Sequence, residues 1–387
     1  MWWKEDSWVS ERLDLLVSAR EMGELPSVTV LGSTWDSEGE RTLFVGIHPT
    51  RDPRPWAWMP GKGLRARLGR RLIRRFGPLP YPGEKPWLGG GSRIGLPDQE
   101  EVVLMARLRP SLLRVLTRLV VERRHPVGLR EALLLAPMQE ADELTQEELA
   151  RFELPATTRV GYVGPIRPVA RKGRGVFKAW SRKRTTLGWA VRSKGGVFLT
   201  TAGHLGAQPG ELVYKRQRRF WSDRNPWGEV VATTCPEDPD GWGDAGLDIA
   251  AIASRIDLRE EAWEAVRPRD PRLLRHHDYV RWNGGVSGLH EGWVVVPARV
   301  AEGIEDVDYE HALMVIGNPP RGGGAEGDSG AAVFDEKGRL LGHLVGIDGA
   351  RDARGIAPVI WFQMIDVAIP YLEHHCGEVR EYLGEGR

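Results

Sequence analysis

AEGDSGAAVFDEKGRLLGHLVGI, residues 325 to 347, sets an acid and a serine between two glycines and then runs into two apolar segments. Gly-Asp-Ser-Gly is good turn chemistry in its own right, because glycine takes positive φ and aspartate bonds its own backbone. It is also what a nucleophilic serine needs, since small neighbours let a substrate carbonyl approach the main chain. Such a serine requires a base, and the base an orienting acid. The remaining sequence decides whether Ser329 has them.

His204 ends the strand-like run VFLTTAGH, where small residues bring the backbone close and present the imidazole at a strand end. Asp248 stands in GLDIAAIA, immediately before a buried-looking strand. A carboxylate there is desolvated unless it accepts hydrogen bonds, which an imidazole N–H offers. Asp244 lies nearby, but only Asp248 directly precedes the apolar run. From 185 to about 360 the chain is a series of short apolar segments broken by Gly, Pro and Asp. That texture indicates an all-β sandwich or barrel.

TAGH, LDIA and GDSG, in the order His204, Asp248, Ser329, resemble the trypsin/chymotrypsin-like serine proteases over residues 160 to 375. The resemblance implies a chymotrypsin-like double six-stranded β-barrel. It implies a catalytic triad of Ser329 as nucleophile, His204 as general base and acid, and Asp248 as orienting acid. The backbone amides of Gly327 and Ser329 would form the oxyanion hole, and Asp328 would shape that loop. Gly203 stands where the family more often has alanine. Gly323, Gly324, Glu326, Val345 and Gly346 are the expected lining of the specificity pocket, with no acid at its base to select Arg or Lys. Arg159-Val160 is a candidate activation cleavage, whose new Val160 amine would pair with Asp328.

The expected domain organisation has three parts. Residues 1–155 form an N-terminal α+β regulatory or partner-binding domain, 156–184 a basic linker or arm, and 185–387 the protease domain with a C-terminal helix. In the first part, 7–22 reads as a helix stopped at Gly23, 27–33 and 41–49 as strands, 63–77 as a basic helix, 100–108 as a strand and 111–125 as a helix. The tail after residue 360 returns to helical spacing, interrupted at Pro370.

Hydrophobic residues make up 41% of the 387, enough for a sizeable core, and the net charge of +1 favours no polyanionic partner. The basic segments 63–77 and 171–184 read as solvated faces, with nucleic acid the lesser alternative. His374-His375-Cys376 and His276-His277-Asp278 lack metal-ligand spacing, so neither metal nor cofactor is expected. Two cysteines, no basic-then-apolar leader and no apolar run near about 20 residues give the expectation of a cytoplasmic protein off the membrane. The expected function is an intracellular serine endopeptidase acting on protein or peptide, controlled by its N-terminal region or a partner. By association, such a chain resembles the effector proteases of bacterial conflict systems. A catalytically silent scaffold with the same fold is the alternative.

Overall fold

The computed structural model describes residues 7–26, 28–35, 40–47, 136–137, 149–155, 157–162, 166–168, 176–178, 184–214, 226–236, 238, 241–243, 246–258, 263–270, 273–275, 278–303, 308–317, 323–347, 357 and 359–385. The elements expected at 63–77, 100–108 and 111–125 lie outside these residues, as does most of the basic stretch 171–184.

The described chain is mostly β-strand, with few helices. Helix α1 (Ser7–Glu21) is followed by β1 (Val28–Trp35), β2 (Arg41–Ile47), β3 (Arg159–Tyr162), β4 (Trp189–Ser193), β5 (Gly196–Thr201), β6 (Leu212–Tyr214), β7 (Pro226–Thr234) and β8 (Ile249–Ser254). Then come β9 (Trp263–Val266), β10 (Tyr279–Gly284), β11 (Gly288–Glu302), β12 (Asp308–Gly317), β13 (Ala332–Asp335), β14 (Leu340–Ile347), β15 (Val359–Met364), helix α2 (Ile365–Cys376) and β16 (Val379–Glu385).

Two sheets result. In the first, the order β9-β16-β4-β5-β8-β7-β6 continues through residues 176–178 to 184–185. Trp263 and Leu383 from one end share a core with Val213 and Trp227 from the other, so this sheet is rolled. In the second, β10 pairs with both β13 and β11, and the order β10-β13-β14-β15-β12-β11 returns to its start. Its interior is filled by Trp282, Leu313, Val315, Leu344 and Phe362.

The second half of β11 pairs with β1, which pairs with β2, and β2 runs parallel to β3. Residues on both sides of position 155 therefore share the sheet that carries Ser329. Helix α1 lays Val9, Leu13, Leu16 and Ala19, one face at helical spacing, onto Leu31, Leu43 and Val45. It ends as the sequence suggests: Gly23 takes φ +74°, and the Glu24 amide donates to Ala19 O at 2.9 Å.

The tail departs from its expected helical spacing. Residues 365–376 are helical, but Val359–Met364 is a strand in the second sheet and Val379–Glu385 a strand in the first. Every residue of VIWFQM is buried, so the two-residue alternation that marks a half-buried strand is missing. Among the described residues no helix is long and apolar enough to cross a membrane.

Candidate active site

The site lies where the two sheets meet. His204 sits in a 3-10 turn, Gly203–Leu205, just past the end of β5. Asp248 leads directly into β8, which pairs antiparallel with β5 through Ala250 and Thr201. The sheet register thus sets the two side chains at the same end of neighbouring strands. The imidazole Nδ1–H donates to Asp248 Oδ2 at 2.6 Å, and the His204 amide donates to Oδ1 at 2.9 Å. Gly203 makes this turn fit: a Cβ there would overlap the carbonyl oxygen of Thr234.

Asp248 has no solvent exposure and the His204 side chain only 9%. Burial pushes the Asp248 carboxyl up, but the attraction of His204 and its two hydrogen bonds outweigh this and hold it below the usual carboxylate value. Removing either partner of such a buried pair leaves an uncompensated group. With Nδ1 committed to Asp248, Nε2 carries the lone pair. It is buried and has no hydrogen-bond partner among the described residues. A buried polar atom left unmatched calls for an explanation, and a catalytic role is one.

Ser329 stands on the loop between β12 and β13 and is fully buried. Its hydroxyl donates to Val345 O at 3.3 Å, and its carbonyl accepts the Thr186 amide at 2.6 Å. The next residue, Gly330, takes φ +92° and packs against Thr186 O, Thr201 Oγ1 and the amide of Ala202, two residues before His204. Only a residue without a side chain lets the two sheets approach this closely. Gly327, at φ +98°, has its carbonyl held by Thr186 Oγ1 at 2.7 Å. Its amide donates to no backbone carbonyl among the described residues.

Asp328 is as buried as Asp248 but is bound by neutral donors. It accepts from the amides of Ala325 at 2.8 Å, Val286 at 2.9 Å and Ser287 at 3.2 Å, and from the Ser287 hydroxyl. A free Val160 amine exists only after cleavage at Arg159, and in the intact chain Asp328 is held by these donors instead. Arg159 and Val160 lie in β3, and Val160 is fully buried in register with Val45.

The residues expected to line a specificity pocket are divided. Gly324 bridges to Ala357, and a Cβ on it would meet Ile360 and Ile347 of the core. The Val345 side chain belongs to a core with Phe44 and Trp361, so this residue reaches Ser329 through its carbonyl alone. Gly346 pairs with Trp361 and Pro168, Gly323 takes φ +134°, and Glu326 is half-buried. Cys235 and Cys376 are both free thiols.

Two positioning residues emerge from the second sheet. Gln363 on β15 accepts the Asp248 amide at 2.9 Å and donates to Gly246 O at 2.6 Å. His343 on β14 donates Nε2–H to Asp248 O at 2.8 Å, and burial lowers its pKa so that it stays neutral. Each is a polar residue inside an otherwise apolar strand run, IWFQM and LLGHLVGI, and that anomaly is the sequence signal for them.

No family model matches the chain, and no curated protein matches it. Among solved structures it is similar to a glutamic-acid-specific serine protease described as using a histidine triad in substrate binding. The identity is 16% and the TM-score 0.38, over 53% of this chain and 97% of that one. Thermobifida fusca protease A gives 16% identity and a TM-score of 0.38 over 57% of this chain and all of its own. Cellulomonas bogoriensis chymotrypsin gives 17% and 0.37 over 56% and 98%.

Proposed function

We propose that the chain is a trypsin-like serine endopeptidase with a chymotrypsin-like double β-barrel, working through Ser329, His204 and Asp248. The observation that carries this is the His204 imidazole, tied at Nδ1 to a buried carboxylate while its buried Nε2 has no partner. In catalysis the Ser329 hydroxyl leaves Val345 O for Nε2. Oγ attacks the scissile carbonyl as Nε2 takes its proton. Asp248 keeps the Nδ1–H tautomer and stabilises the imidazolium. The amides of Gly327 and Ser329 receive the oxyanion. The C–N bond then breaks, and His204 gives its proton to the departing amine. Water, deprotonated by the same imidazole, hydrolyses the acyl-enzyme and restores Ser329.

Control by the N-terminal region is supported by one line of contacts. Arg20 on α1 holds Asp308 with two hydrogen bonds of 2.6 and 2.8 Å. The Asp308–Glu310 backbone packs against Gly246, and Gln363 bonds both Gly246 O and Glu310 O while holding the Asp248 amide. Residues ahead of 155 thereby bear on the acid of the triad.

A second reading, a silent scaffold, is favoured by the Ser329 hydroxyl lying on Val345 O inside a closed site. Digestion of a diverse peptide library, read by mass spectrometry, separates the two. Wild type is expected to cut, and Ser329→Ala to fall about a million-fold in turnover. Equal products, or none, from both would sink the endopeptidase reading.

A further inference from the structure

A cavity of about 810 Å³ opens at the junction of the two sheets, lined from one side by Glu264–Arg267 and Leu187–Gly188, and from the other by residues of β10, β13 and the turn at 337–339. The triad and its hydrogen-bonding partners contribute nothing to this lining. Strand parity explains what faces it. Val280 and Trp282 point into the core of the second sheet, so Arg281 and Asn283 point outward. Phe334 is the register partner of Arg281, and Leu289 of Asn283, so a guanidinium stands beside an aromatic ring and an apolar side chain on one face.

The charge is one-sided. Arg267, Arg281, Lys337 and Arg339 line the cavity against one carboxylate, Glu264. Arg339 is spent on buried Asp335, to which its Nε donates at 2.8 Å. Glu291, across the strand from Arg281, takes the Tyr279 hydroxyl. The guanidiniums of Arg267 and Arg281 make no hydrogen bond or ion pair with any described residue. They come from different sheets and converge on one space.

We infer that this cavity binds a nucleoside phosphate. Two guanidinium forks with no partner among the described residues match phosphoryl oxygens, which accept two parallel N–H bonds from each fork. A phosphate alone would leave the other walls wet. Leu187, Val266 and Phe334 line the cavity, and Leu289 remains 59% exposed at it, a surface suited to the flat apolar body of a base. The volume lies inside the range of small-molecule pockets, roughly 300–1,000 Å³. Binding here does not require that Ser329 be catalytic.

The test is calorimetric titration of the full chain carrying Ser329→Ala, which removes any self-digestion, with ATP and AMP as probes. Adenosine, inorganic phosphate and a short single-stranded RNA are titrated in parallel. A nucleotide is expected to bind at least about tenfold more tightly than adenosine or phosphate alone. Arg267→Ala and Arg281→Ala should each weaken it by about tenfold or more, the size of a charge-assisted hydrogen bond. Glu264→Gln should tighten it, and Arg151→Ala, whose partner is Glu24, should leave it unchanged. Thermal melts check that each variant is folded. Where an alanine variant is not, Arg281→Lys, which keeps the charge and loses the fork, should still bind several-fold more weakly. The inference is overturned if no nucleotide binds up to millimolar concentration, if phosphate binds equally well, if RNA binds and mononucleotides do not, or if the arginine variants bind as well as the parent.

Discussion

Asp248 and Asp328 are two aspartates with no solvent exposure, about eighty residues apart in sequence, one bonded to His204 and the other next to Ser329 in the chain. Asp248 faces an imidazole, and its ionisation is coupled to a group that can gain a proton. Asp328 faces three amides and a hydroxyl, none of which titrates near neutral pH. Equal burial therefore supports different work. On the proposed reading, one carboxylate sets the protonation of a base and the other fixes the shape of a loop.

The sharpest break between them is a pair of isosteric changes. Asp248→Asn removes the acceptor that fixes the His204 tautomer, and turnover should fall by about 10⁴-fold. Asp328→Asn keeps the shape but turns an acceptor into a donor among donors. It should loosen the Gly327 amide and cost about 10²–10³-fold, as losing an oxyanion donor does. Only the first should change the pH profile of kcat/KM. Equal losses with equal profiles would erase the distinction.

Stability against pH sharpens the same contrast. The Asp248 pKa is lowered on folding, so its contribution is complete above the unfolded value of about 3.9 and is lost as pH falls through the folded value. His343 is also lowered, by burial first, and is held neutral. Below about pH 6.5 the unfolded chain takes up that proton before the folded one does. Both groups thus destabilise the fold on acidification. Urea melts should show stability falling from pH 7.5 to 5.5, with a smaller fall in His343→Gln.

Packing around the His204 turn gives a smaller effect. Gly203→Ala restores the residue more usual in the resembled family, yet its Cβ would overlap Thr234 O. It should cost roughly 1–3 kcal/mol in a denaturant melt. The smallest effect is at the far end of the contacts to Asp248: Arg20→Ala should lower kcat only a few-fold and leave KM unchanged. An unaltered kcat would detach the N-terminal helix from the site.

The candidate groups could be picked out because each lies in a contiguous motif at a strand end: TAGH, LDIA, GDSG. Their supports could not, because they come from far along the chain. Gln363 is 115 residues from the Asp248 it holds, His343 is 95 residues from it, and Thr186 is 141 residues from Gly327. Pattern reading sees one strand at a time and carries no register. The same limit explains β1 and β2, apolar runs on either side of a polar turn that read as strands while nothing local tells that β1 docks on β11. Val359–Met364 was hidden for another reason: it runs straight into α2 at Ile365, with no glycine, proline or polar turn to separate strand from helix.

Whether Ser329 is a nucleophile is decided by labelling the purified full chain with a fluorophosphonate and mass-mapping the modified peptide. One adduct on Ser329 is expected in wild type, none in Ser329→Ala, and strongly slowed labelling in His204→Ala, which lacks the base. An adduct elsewhere, labelling of Ser329 that does not depend on His204, or no labelling of wild type at all would contradict the proposed triad.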